Sequence, residues 1–300
     1  MPEFIRNKCP ICQHEKFTKI GKPDFGTVDI NKPKETNIVK CKKCKTIYVN
    51  PIPIWTKEDF CKLYNDVDEY FPQSEKWVNK RKHHIVRKRF DLLSRYLKIT
   101  NHNMLEVGAG IQAFMARYLS RKGWIVEIQE PSETFAMELK RCYPQFNIIS
   151  SDFLEMNEDK KFSLVYIDSV LEHVANPGDY LKKCAGLLEP GGILYTISPH
   201  EHSFRNLIKT FRNKRKGKPV GYLCPYTVSF HLIGFSKKGM KMLADKANLE
   251  LVKCIRRDDY DWFHTLINKK TIFKYPEALF WYLIDWIGWG TNQEFILRKK

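Results

Sequence analysis

The chain has 300 residues, 43% of them apolar, and Lys plus Arg outnumber Asp plus Glu by 17. That length allows one large domain with a small appendage, and the basic balance suits an anionic partner: nucleic acid, a nucleotide-linked substrate or an acidic membrane surface. A polar start without a signal-peptide pattern, nine cysteines and no apolar run of about 18 residues argue against a disulfide scaffold and a membrane span, and lead us to expect a cytoplasmic protein.

Cys9 and Cys12, then Cys41 and Cys44, form two C-x-x-C knuckles joined by a β-rich connection. Each knuckle lets two thiolates grip one ion from a tight turn, and four cysteines leave no open position. The spacing predicts a structural zinc ribbon over residues 1–52. Lys40, Lys42, Lys43 and Lys45 beside the second knuckle could also meet nucleic acid. Residues 53–100 read as a helical linker or lid, with Thr56 capping a short helix over 58–64 and a long helix over 74–97. Trp77, Ile85, Phe90, Leu93 and Leu97 mark the apolar stripe of that long helix, and Arg87, Lys88 and Arg89 fall on a solvated basic face.

The stretch from Asn103 to Phe114, NMLEVGAGIQAF, reads as strand, glycine turn and helix start. Glycine lets the backbone pass close to a ligand, so this is a nucleotide-binding element. With Ala113 standing in for a third glycine, a dinucleotide site is one reading. Glu106 argues for the other, a cationic ligand, because a carboxylate would repel a pyrophosphate. Further strands follow at 124–129, 147–150, 162–167, 193–198, 249–255 and 294–297, alternating with helices at 134–142, 177–188 and 237–247. Alternation of this kind demands a mostly parallel sheet with helices on both faces and its ligand at the carboxyl ends of the strands. Glu106, Glu130, Asp152 and Asp168 all fall at or just past those ends, and Glu130 lies about 20 residues past the turn, where a ribose-binding acid belongs. The basic segment Lys209–Lys218 sits in a polar stretch, 199–217, expected to be a mobile cover. The aromatic stretch Phe273–Trp289 would line the acceptor pocket, cover the sheet or rest on a membrane interface.

LEVGAG, EPS at 130–132, SDF at 151–153, DSVLEHV at 168–174 and LLEPGG at 187–192 together resemble a class I S-adenosylmethionine-dependent methyltransferase. The resemblance implies an α/β, Rossmann-like sheet of seven strands over residues 101–300, with the zinc ribbon before it. The knuckles followed by Tyr48-Val-Asn-Pro-Ile-Pro resemble a zinc-bearing subgroup associated with methylation of sugars, glycans and secondary metabolites. DSVLEHV and HLIGFS are also similar to segments of ubiquinone-biosynthesis O-methyltransferases. By this resemblance Glu130 takes the ribose hydroxyls and Asp152 the adenine amino group, with Phe153 against the ring. Glu106 and the Gly108–Gly110 backbone hold the methionine moiety, and Ser169 completes the cofactor set. An oxygen acceptor of high pKa needs a base, for which His173 and His231 are the candidates, each also readable as a packing histidine. The implied reaction is methyl transfer to an oxygen or carbon of a small-molecule or glycan acceptor of anionic character. The alternatives are an RNA methyltransferase using the basic surface and a non-catalytic zinc-ribbon scaffold.

Overall fold

The structure is a computed structural model describing residues 4–5, 8–23, 36–54, 75–97, 101–223, 231–258 and 275–300. In chain order the described elements are β1 (Phe4–Ile5), β2 (Phe17–Gly21), β3 (Asn37–Cys41), β4 (Ile47–Asn50), β5 (Ile52–Pro53) and α1 (Glu75–Leu93). Next come β6 (Asn103–Val107), α2 (Phe114–Ser120), β7 (Ile125–Gln129), α3 (Glu133–Cys142), β8 (Asn147–Ile149), β9 (Phe162–Asp168) and α4 (Pro177–Leu187). The chain ends with β10 (Leu188–Pro199), α5 (Phe204–Arg215), β11 (Ile233–Gly234), α6 (Lys237–Lys246), β12 (Leu249–Arg257), α7 (Tyr275–Trp286) and β13 (Asn292–Lys299).

Seven strands make the central sheet in the order β12–β13–β10–β9–β6–β7–β8. β9, β6, β7, β8 and β10 run parallel, while β13 is antiparallel to both β10 and β12. This is the α/β sheet expected from the alternation. Its two faces sort by residue parity, since successive side chains on a strand point to opposite sides. Leu105, Val165, Leu194, Phe295 and Leu297 join one buried cluster, packed with α4, α6 and the ribbon. Met104, Leu164, Tyr195 and Ile296 join the other, under α1, α2 and α3. Each such fully buried side chain contributes about 1.5–3 kcal/mol relative to exposure.

The N-terminal ribbon is stitched into this body. β2, β3 and β4 form an antiparallel meander whose fourth strand is β11, with Ile233 opposite Tyr48 and Gly234 opposite Ile47. Ser236 caps α6 by accepting the Gly239 amide at 2.8 Å, and its hydroxyl donates to the Cys44 carbonyl. The four knuckle cysteines belong to the same apolar cluster as Leu105 and Leu243.

Several segments differ from the sequence reading. The stretch expected to be a mobile cover contains α5, whose N-terminus Ser203 caps by accepting the Asn206 amide. Arg89, placed on a solvated face, is buried at 4% exposure. It follows Val86 by three residues and precedes Leu93 by four, so the helical period puts it on the buried stripe. β10 opens at Leu188 and not at Ile193, because Leu188 pairs with Phe162 ahead of a bulge. The helix expected over 58–64 and the side chain of Trp77 lie outside the described residues.

Candidate functional site at the carboxyl edge of the sheet

The turn after β6 is left-handed at two glycines, Gly108 at φ +63° and Gly110 at φ +58°. A Cβ on Gly108 would lie 2.5 Å from a methyl of Val170, so the residue has neither the space nor the backbone conformation for a side chain. The Gly108 amide donates to the Gln129 carbonyl at 2.8 Å, tying the turn to the end of β7. One residue on, Glu130 accepts the Gly110 amide at 2.8 Å through Oε2 and the Ser132 amide at 3.0 Å through Oε1. Burial pushes its carboxyl up to about 7, and the two amides pull the other way. Glu130 therefore sits directly under the turn, as its spacing from the glycines predicts.

The other strand-end acids point elsewhere. The Glu106 carboxylate accepts the Ala116 amide at 2.6 Å, so it satisfies the first turn of α2 and shapes the glycine loop from below. Burial lifts this group to about 8. Asp152 is exposed and accepts the Leu154 amide at 2.8 Å through Oδ1. Phe153 is buried, its ring 5.2 Å from that of Tyr180, whereas the next residue, Leu154, is open to solvent. Ser169, exposed and at φ +58°, donates its hydroxyl to Asp168 Oδ1 at 3.0 Å.

Asp168 itself faces a buried network that the sequence reading missed. Arg89 donates to Asp168 Oδ2 at 2.8 Å and to the Tyr166 hydroxyl at 3.3 Å, and its Nε lies 3.6 Å from Glu294. Glu294, fully buried on β13, is gripped by both arms of Arg257 at 2.8 Å and accepts the Tyr195 hydroxyl at 2.6 Å. Glu106, Tyr166 and Tyr195 stand opposite one another in the sheet register, and Asp168 and Ile197, which faces Glu294, each lie two residues on, so strand parity puts all five acidic and phenolic side chains on one face. That parity, with Arg89 on the facing stripe of α1, is the signal that could have found the network.

His173 and His231 come together with rings 5.0 Å apart, although 58 residues separate them in the chain. Both are held by one strand of contacts: Leu232 donates to the Glu172 carbonyl at 2.7 Å, and the Val49 amide of the ribbon donates to Leu232 at 3.0 Å. Burial first, then the neighbouring His173, holds the His231 imidazole down at about 3. Beside them Glu172 is completely buried with neither carboxylate oxygen hydrogen-bonded. Burial pushes it up to about 8. Ligand atoms of Glu172, His173 and His231 all lie within 4.8 Å of one another, a set that can hold a proton or a cation. His200 is different: its Nδ1 donates to the Gly290 carbonyl at 2.8 Å, a structural tie.

At the knuckles, Cys9 Sγ lies 3.5 Å from Cys44 Sγ and Cys12 Sγ 3.6 Å from Cys41 Sγ, all four buried. The two turns repeat each other. Gln13 donates to Cys9 and Lys45 to Cys41, and both donors are left-handed, at φ 58° and 67°. Four sulfurs about 2.3 Å from a tetrahedral zinc stand about 3.8 Å apart, so the donor set fits that ion.

Residues 79–254 match the family of methyltransferase domains. Among curated relatives, a ubiquinone biosynthesis O-methyltransferase of Caulobacter vibrioides is 28% identical over 95 residues, 23% of this chain and 38% of that protein. A second, from Coxiella burnetii, is 26% identical over 144 residues, 46% of this chain and 60% of that protein. The chain thus spans less than two thirds of either relative. Solved structures of similar shape include a SAM-dependent methyltransferase from Archaeoglobus fulgidus, at TM-score 0.47, 17% identity and coverage of 72% of this chain and 94% of that one. Another is magnesium protoporphyrin IX methyltransferase from Synechocystis with bound SAH, at TM-score 0.47, 12% identity and coverage of 80% and 92%. With well over half its length matched, and with the sheet order and glycine turn described above, the chain belongs to the methyltransferase-domain family, in its class I, S-adenosylmethionine-dependent form.

Proposed function

We propose that the protein transfers a methyl group from S-adenosyl-L-methionine to an oxygen, or a carbon, of a small-molecule or sugar acceptor. The observation that carries this reading is Glu130, a carboxylate fixed by the Gly110 and Ser132 amides at the end of β7. A carboxylate there has acceptor lone pairs left for the two ribose hydroxyls. Asp152, exposed beside it, suits the adenine amino group, and Leu154 offers the apolar surface that buried Phe153 does not. The Gly108–Gly110 backbone allows close approach of the methionine moiety, with Glu106 bracing it from behind and Ser169 at the rim. When bound, the cofactor supplies an electrophilic methyl group on its sulfonium sulfur.

The chain's own part is to place the acceptor and take its proton. His231 is neutral because burial disfavours its charged form, so its ring carries the nitrogen lone pair that a general base uses. His173 lies against it, and the buried Glu172 carboxyl stands within 4.8 Å of both rings. Cys9, Cys12, Cys41 and Cys44 hold a structural zinc, and the ribbon it fixes presents β4 to β11, which carries the His231 segment. The division into ribbon, linker and catalytic part at residues 52 and 100 belongs to this same reading.

The test is a transfer screen with cofactor labelled in the methyl group, offered to phenols, sugar nucleotides, glycans and RNA. Label is expected on a phenol or sugar acceptor, and His231→Ala should lower kcat by about 100-fold or more, the usual share of a general base, while leaving binding of S-adenosylhomocysteine unchanged. Label on RNA alone, or none on any acceptor, defeats the assignment.

A further inference from the structure

Two features that lie some sixty residues apart in the sequence meet on the surface. Between Phe204 and Lys218 there are seven cationic side chains and no acidic one. On α5 the helical period separates them into stripes: Arg205, Lys209, Arg212 and Lys216 on one, Phe204, Leu207, Ile208 and Phe211 on the next. Buried Thr210 marks the inward side, so both stripes lie on the outer half of the helix, where Phe211 is 62% exposed. Against them lies α7, which is turned inside out. Leu279, Phe280, Leu283, Trp286 and Ile287 recur at helical spacing on its exposed face, Trp286 at 76% exposure, while Ala278 and Ile284 face inward. Phe204 packs against Phe280, Trp281 and Trp289, and the Arg205 guanidinium lies 4.9 Å over the Trp281 ring. A cavity of about 340 Å³ between the helices is lined by Arg205, Lys209, Arg212, Lys216, Lys218 and Trp281.

We propose that this α5–α7 face docks the protein on an anionic lipid membrane, with the apolar stripes entering the interface and the cationic cavity taking a lipid phosphate. Amphipathic surface helices that bind bilayers combine exposed Trp, Phe and Leu with Lys and Arg on the flanking face. Exposed apolar surface of this extent marks an interaction site, and its charge selects the partner. A two-fold pairing of the same face in a second copy would set seven cations against seven. RNA would meet the cations and stack on Trp286 and Phe280, but Leu279, Leu283 and Ile287, exposed beside them, offer nothing to phosphates or bases. No described helix is long and apolar enough to cross a membrane, so the contact is peripheral. α5 follows β10 at its carboxyl end and α7 leads into β13, whose Asn292 pairs with Pro199. The face therefore borders the edge of the sheet that carries the candidate site. The cations assigned from sequence to an anionic acceptor here serve the bilayer, and the inference stands whether or not the acceptor assignment does.

The test is co-sedimentation of the full chain with vesicles of phosphatidylcholine alone or of equimolar phosphatidylcholine and phosphatidylglycerol, read also by tryptophan emission. Binding to the anionic vesicles is expected to be at least about tenfold tighter than to neutral ones, to weaken with salt and to shift the emission to the blue. Trp286→Ser with Ile287→Ser, and separately Arg212→Glu with Lys216→Glu, should each lower it at least about tenfold with melting temperature and S-adenosylhomocysteine affinity unchanged. Equal binding to both vesicles, no loss in either variant pair, full displacement by soluble glycerophosphoglycerol, retention of RNA without vesicle binding, or a dimer dissolved by the Trp286 and Ile287 changes would each overturn the proposal.

Discussion

The two ligand-holding regions of the molecule are built on different logic. In the ribbon, each pair of cysteines is separated by two residues inside one turn, and the turn is closed by its own backbone hydrogen bond. Covalent spacing sets each pair in its turn, and the pairing of β2 with β3 brings the two turns together, with Cys9 against Cys44 and Cys12 against Cys41. At the carboxyl edge of the sheet, the four acids share only a register. Glu130 turns up to the glycine loop, Glu106 turns beneath α2, Asp168 turns sideways to Arg89, and Asp152 turns out to solvent. Strand register fixes where an acid stands; the elements packed around it fix what it touches.

The largest expected effect is in the ribbon. Cys41→Ser should abolish zinc binding, one ion per chain in the parent, and lower the melting temperature of the whole protein. Zinc at such sites contributes roughly 10–16 kcal/mol of binding energy to folding. Because β4 pairs with β11 and the cysteines share a cluster with Leu105, chelation should melt ribbon and sheet in one transition. A melt in which the ribbon unfolds first, with the sheet intact, would make the ribbon an independent module in spite of the β4–β11 pairing.

Next in size is Arg89→Leu. It strips the cation from half-exposed Asp168 and from one side of Glu294, which keeps Arg257, and the lost charge-assisted bond costs about 1.5–3 kcal/mol. An effect below about 1 kcal/mol by urea unfolding would place Arg89 in the solvated class after all. Glu130→Ala should then weaken S-adenosylhomocysteine about 100-fold by calorimetry, since charge-assisted hydrogen bonds contribute about 1.5–3 kcal/mol each. Asp152→Ala, at an exposed site, should weaken it less. Equal losses would mean that burial at the strand end does not rank the acids.

The gathering of the four cysteines, the α/β sheet and the position of Glu130 were legible in the sequence because each depends on local spacing or on strand and helix alternation. The partners of Arg89 were not, because they are contributed by β9 and β13, more than 75 and 200 residues away. Its burial was legible, from its spacing to Val86 and Leu93, once helical period is weighed above charge. The meeting of His173 with His231 depends on β11 joining the ribbon, a two-residue strand with no periodicity to read. The exposure of α7 was hidden for the opposite reason. An apolar helix is ordinarily read as buried, and only its packing shows which face is left outside.

The smallest expected effect concerns Glu172. Burial raises its carboxyl from 4.5 to about 8 in the folded chain. Between those values the unfolded chain has already released this proton while the folded chain still holds it. Stability should therefore fall as pH rises through that window and level off above about 8. Glu106, Glu130 and Glu201, also raised by burial, add slopes of the same sign. Glu172→Gln keeps the shape and removes the titration, so urea unfolding at about pH 6 and about pH 8 should show a slope shallower by up to about 1.4 kcal/mol per pH unit. The variant should gain on the parent at the alkaline end. If the slope does not change, Glu172 is ionised across the range, which requires a cation beside it: an imidazolium on His173 or His231, or a bound metal. Repeating the pair of measurements in His231→Gln separates these, because a slope that appears only when His231 is gone assigns the pairing to that ring.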